Sequence, residues 1–206
     1  MVLDGYLVGT MKQMSALLCL CVFFCQCSID RTVAPLSLEE EEILATFQAL
    51  DAAHQVQISP PDEPGQTLWL CLTLLVQESQ TPLAQQSILL YHTSAAGEYQ
   101  PEDPNDESTA RLHGMTVSDE QGRLFVKTIL PGDYGSSADN RHIHTTVANA
   151  QPEGYDIHFS QYSTFMGKNF ISGSDQHFLA DLKQTPGKEL VTFLTLEVKK
   201  PQTSYP

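Results

Sequence analysis

The chain has little cysteine available for cross-linking. Of its five cysteines, Cys19, Cys21, Cys25 and Cys27 fall within the apolar run Leu17 to Cys27, and only Cys71 lies in the body, so no intrachain disulfide framework is implied. Basic residues are also scarce. Eleven Lys and Arg stand against 25 Asp and Glu, a net charge of −14 with an isoelectric point near 4.7. That balance argues against a nucleic-acid partner and against a polybasic contact with anionic lipid. The apolar run near the N-terminus falls short of the about 20 residues that a bilayer-spanning helix needs. No internal repeat is visible. What remains is a globular composition, 41% hydrophobic and 17% charged over 206 residues, enough for one domain with a proper core and an N-terminal appendage.

The appendage reads as an export signal. Lys12 precedes the apolar run and the polar Ser28-Ile29-Asp30-Arg31 follows it, the layout of a secretory h-region. Met11 is a candidate true start. A bacterial lipoprotein signal is the sharper form of this expectation, with Cys27 as the acylated residue behind Gln26. The expected location is outside the cytoplasm: periplasmic, anchored to the membrane by lipid, or secreted. The domain plan is a leader over 1–30, a linker and short helix over 31–65, a β-domain over 66–200 and a tail over 201–206.

Within that plan, Ser37-Leu38-Glu39-Glu40 opens a helix, with Ser37 as N-cap and Glu40 at the capping-box position. Helical spacing of Leu38, Ile43, Leu44, Phe47, Leu50 and Ala53 carries it to about Ala53. The stretch from Ser59 to Gly65, with three prolines, ends it. Beyond Gln66 the pattern is β: strands are predicted over Thr67–Val76, Ser87–His92, Gly122–Ile129, His142–Val147, Tyr155–Ser160 and Leu190–Val198. Acidic, turn-rich Gln100 to Ser108 is predicted as a surface loop. Short strands between Gly, Pro and Asp turns predict an all-β fold, an antiparallel β-sandwich with one short N-terminal helix.

The chemistry concentrates near residue 140. Tyr134 is followed eight residues later by His142-Ile143-His144. Residues two apart in a strand share a face, so the two imidazoles converge on one ion. A nearby phenol adds a hard oxygen donor, which suits an oxidised iron centre better than zinc or calcium.

Further polar segments surround this one: Gly97-Glu98-Tyr99, Leu112-His113-Gly114, Asp119-Glu120-Gln121-Gly122-Arg123 and Thr128-Ile129-Leu130-Pro131-Gly132-Asp133-Tyr134. In this order they resemble the intradiol ring-cleavage dioxygenases, the family of catechol and protocatechuate dioxygenases. The resemblance spans about Thr67 to Val198. It implies a non-haem Fe(III) cofactor held by Tyr99, Tyr134, His142 and His144, with His144 axial and His142 equatorial. It implies a small aromatic diol and O₂ as substrates, the diol binding through both oxygens. Tyr134 would leave the metal and take a substrate proton, and the ring would open between the two hydroxyl-bearing carbons to a muconate-type diacid. The family commonly carries an arginine three residues before the first histidine. Asp139 stands there instead, and Arg141, directly before His142, is the candidate for that catalytic role. Simple strand alternation would point Arg141 away from His142. Gly135 replaces the proline that usually follows the second tyrosine.

Competing readings are weaker. A cupin-type site would want a glutamate four or five residues after the second histidine, where Ala148 and Asn149 stand. A transthyretin-like carrier has no use for two tyrosines and His-x-His. The serious alternative is a non-catalytic metal- or ligand-binding lipoprotein that keeps the dioxygenase fold. His54, His92, His113, His158 and His177 are expected to be surface or structural residues.

Overall fold

The computed structural model describes residues 31–135, 138–163 and 165–199. The predicted leader, with Cys27, and the 201–206 tail lie outside the described residues. The described chain is mostly strands, arranged in two sheets. The first, of six strands, has the order β1 (Ala34–Pro35), β10 (Lys183–Gln184), β11 (Leu190–Val198), β3 (Thr67–Val76), β6 (Arg123–Ile129), β2 (Gln55–Gln57). The second, of five, has the order β5 (Leu112–Val117), β4 (Ser87–His92), β7 (Asn140–Val147), β8 (Gly154–Ser163), β9 (His177–Ala180).

Both sheets are mixed, not purely antiparallel as the turn pattern predicts. Strand β11 runs parallel to β3 from Leu190↔Leu68 to Val198↔Val76, and β1–β10, β2–β6 and β8–β9 are also parallel. Tight turns report only on strands adjacent in sequence. The β3–β11 pair joins strands far apart in the chain, so no local signal reveals it.

Strand β3 is apolar at nearly every position because it is buried on both faces. Leu68, Leu70, Leu72 and Leu74 point into a core shared with Ile88, Leu90, Ile143, Val147, Ile157 and Phe159 of the second sheet. Burial of each such side chain contributes about 1.5–3 kcal/mol. On the other face, Cys71 joins Phe125, Val191, Leu44 and Phe47 in a second cluster. The last two belong to α1 (Leu38–Gln48), which closes over that face. Its N-terminus forms as predicted: Ser37 Oγ accepts from Glu40 N at 3.2 Å, and Glu40 Oε2 accepts from Ser37 N at 2.8 Å. The helix stops at Gln48, short of the expected Ala53. Asp51 is extended, with ψ of 152°, and Ala52–His54 form a separate 3₁₀ turn. A second helix, α2 (Phe165–Ser172), was not expected from the sequence. Among the described residues no helix is long and apolar enough to cross a membrane.

Candidate metal centre

Strand register places the polar residues of the second sheet in rows on the face turned away from the core. Tyr91 of β4 stands opposite His144 of β7, His144 opposite Asp156 of β8, and Asp156 opposite His177 of β9. In the next row His142 stands opposite His158. Strand alternation, which sends Ile143 and Ile157 inward, sends all of these outward.

Two loops deliver the tyrosines onto this face. Tyr99 follows β4 and Tyr134 follows β6. They approach each other because glycine permits it. Gly97 has φ of +83°, and a Cβ there would lie 2.2 Å from the Asp133 carbonyl oxygen. A Cβ on Gly132 would lie 2.5 Å from the Gly97 nitrogen. Gly132 N donates to Ser94 O at 2.9 Å and Thr93 Oγ1 donates to Gly132 O at 3.2 Å. The Gly97-x-Tyr99 and Gly132-x-Tyr134 spacing thus has a steric origin: only Gly fits where the two backbones cross.

Three donor atoms converge. Tyr99 Oη lies 2.8 Å from His144 Nε2, and His142 Nε2 lies 3.1 Å from His144 Nε2. The remaining ring nitrogens fix the tautomers. His144 Nδ1 donates to Asp156 Oδ1 at 2.6 Å, and His142 Nδ1 donates to Asn140 O at 3.0 Å. Both Nε2 atoms are therefore left with lone pairs. Two unprotonated nitrogens face each other at 3.1 Å with a phenol oxygen beside them.

The electrostatics agree. Burial lowers the affinity of His142 for a proton. Burial, with the negative charge of Glu107, pushes the Tyr99 phenol well above its ordinary value. Burial alone would raise the Asp156 carboxyl, but the hydrogen bond from His144 and the surrounding imidazoles outweigh it and hold it below the usual carboxylate range. Tyr91 stacks on His144 with centroids 4.8 Å apart and braces the ring.

The other two expected residues sit at the margin. Tyr134 is 39% exposed. Its ring centroid is 5.1 Å from that of Tyr99 and 6.2 Å from that of His142, and its hydroxyl donates to Glu107 Oε1 at 3.1 Å. The charged hydrogen bond to Glu107 raises its pKa. The register of β7 against β8 shifts between Asn140 and His142, so simple alternation does not hold at Arg141. The Arg141 guanidinium lies over the Tyr162 ring, 4.2 Å from its centroid, and its Nε is 3.5 Å from Asp133 Oδ1.

The sequence reading overlooked three neighbours. Asp156 orients His144. His158, whose pKa burial lowers to about 4, lies with its ring centroid 5.1 Å from that of His142. His177 sits 3.3 Å from Asp156 Oδ2. The signal that could have found them is Asp156-x-His158, two polar residues at strand spacing within an otherwise inward-apolar segment. His92, in contrast, expected to be a surface or structural residue, is structural: it is fully buried, with Nε2 2.6 Å from Thr128 Oγ1.

A family model described as Dioxygenase matches residues 44–205. Among solved structures, an intradiol ring-cleavage dioxygenase from Tetranychus urticae superposes with a TM-score of 0.53 at 18% identity, covering 72% of this chain and 87% of that one. The dioxygenase domain of a dioxygenase–carbohydrate-binding fusion from a cellulolytic Streptomyces gives 0.52 at 16%, covering 70% and 87%. The 3-chlorocatechol 1,2-dioxygenase from Rhodococcus opacus gives 0.53 at 20%, covering 74% of this chain and 66% of that one. No curated protein sequence matches the chain. With most of its length under the family match, the chain belongs to the intradiol ring-cleavage dioxygenase family.

Proposed function

We propose that the protein is an enzyme that opens a small catechol between its two hydroxyl-bearing carbons, with both atoms of O₂ entering the diacid product. The observation that carries this reading is the convergence of Tyr99 Oη and two lone-pair nitrogens, His142 Nε2 and His144 Nε2, within 2.8 and 3.1 Å. A phenol with two imidazoles fits ferric iron: the oxygen is hard, the nitrogens are intermediate, and all three atoms already point at one another. Tyr99, Tyr134, His142 and His144 would hold the ion. When bound there, ferric iron would supply the Lewis acidity that ionises the phenols at neutral pH and withdraws electron density from the diol.

The chain's own residues do the rest. Asp156 keeps His144 in the tautomer that aims Nε2 inward. Ionised while the ion is bound, Tyr134 would take a proton from the diol and return to the neutral phenol that donates to Glu107. Arg141, held over Tyr162 and near Asp133, is the cationic group beside His142 that would position the diol. A second reading, a family member that binds metal and diol without turnover, draws on one observation: the Arg141 guanidinium is already engaged by Tyr162. Oxygen consumption on adding catechol to iron-loaded protein separates the two. Uptake supports the enzyme, and binding without uptake supports its rival.

The proposal extends to location. The 1–30 leader would direct export, with either cleavage before Arg31 or acylation at Cys27. Intact mass of native material is expected to show one of these two ends. A full-length, unmodified chain in the cytoplasm would contradict both.

A further inference from the structure

We infer that Asp156, His158 and His177 form a second metal site, one that takes a divalent ion of the zinc class and lies next to the proposed iron site without using any of its four ligands. Their ligand atoms all lie within 4.8 Å of one another. His158 Nε2 is 3.2 Å from His177 Nδ1, and His177 Nδ1 is 3.3 Å from Asp156 Oδ2. Ligand atoms at about 2.0–2.1 Å from a tetrahedral zinc stand about 3.3 Å apart. Two edges of the triangle thus already have the required length.

The protons are consistent with this assignment. Asp156 uses Oδ1 to accept from His144. Its Oδ2 accepts no hydrogen bond among the described residues, although it is partly buried beside two imidazoles. The contact between His158 and His177 needs one proton at most, which a bound cation would replace. Two imidazoles and one carboxylate suit zinc, and are too poor in oxygen for calcium or magnesium. Adjacent strands hold the set rigidly: Asp156 and His158 alternate on β8, and His177 is paired in register with Asp156 across β9. A cleft of about 410 Å³, lined by His177, Ser174, Asp175 and Glu197 among others, opens against His177. The carboxylate that orients His144 would thus bind the second ion through its other oxygen.

The test is metal content of the iron-loaded full chain after equilibration with zinc and removal of excess. It is compared with His177→Ala, so that zinc on the leader cysteines cancels. One more zinc per chain is expected in the unmodified protein than in His177→Ala, with iron equal in both and matching circular dichroism. His158→Ala is expected to weaken zinc binding at least about tenfold. Tyr99→Phe is expected to lose iron signal and keep the zinc difference, which separates this site from the iron site. Equal zinc in the unmodified protein and His177→Ala would overturn the assignment. So would zinc that enters only as iron leaves.

Discussion

His144→Ala is expected to yield colourless protein that holds no iron after purification from an iron-replete host. His144 is the hub of the arrangement. Its Nε2 faces both Tyr99 Oη and His142 Nε2, and its Nδ1 is held by Asp156. Its removal deletes one ligand and the anchor of the other two at once. Tyrosinate bound to ferric iron gives a broad visible charge-transfer band, so iron content and colour report together. Asp156→Asn is expected to be milder, about 10–100-fold in iron affinity, because it alters only the group that orients the ligand. The order of these two variants is the informative result. Asp156→Asn losing iron as completely as His144→Ala would show that the carboxylate is a ligand itself.

Tyr134→Phe is expected to retain the fold and still bind catechol, but to lower turnover per bound iron by about 10²–10⁴-fold, the usual range for a lost general base. The side chain is 39% exposed, and the hydroxyl makes its hydrogen bond to Glu107 on the surface, so the deletion costs little stability. Colour is expected to weaken as one phenolate is lost, and normalising rates to iron separates that effect from the loss of the base. Unchanged turnover per iron would remove Tyr134 from the proton transfer.

The residues proposed to hold the metal stand out in the sequence because their signals are local. His142 and His144 lie two apart in one strand, and each tyrosine follows a glycine at fixed spacing. Strands β3, β4 and β11 were legible to the residue, since each is a dense apolar run between turn residues. Strand β5 was not. Gly114 sits inside it, and a Cβ there would lie 2.7 Å from Val56 Cγ2, so the glycine serves the close approach of β2, which only tertiary structure reveals. Strand β9 has four residues and pairs in parallel with β8, so neither its length nor a turn marks it. The bulge ahead of His142 defeats period-two reasoning at Arg141. His158 and His177 looked ordinary because each was judged alone, and the partner that gives each its setting comes from a neighbouring strand.

The most direct test is an oxygen electrode trace with iron-loaded protein and unsubstituted or small substituted catechols, paired with product analysis by mass. The account predicts a shift of the charge-transfer band, then one O₂ consumed per ring and a ring-opened diacid heavier than the catechol by two oxygen atoms. Fully loaded iron that binds several catechols without consuming oxygen would contradict it.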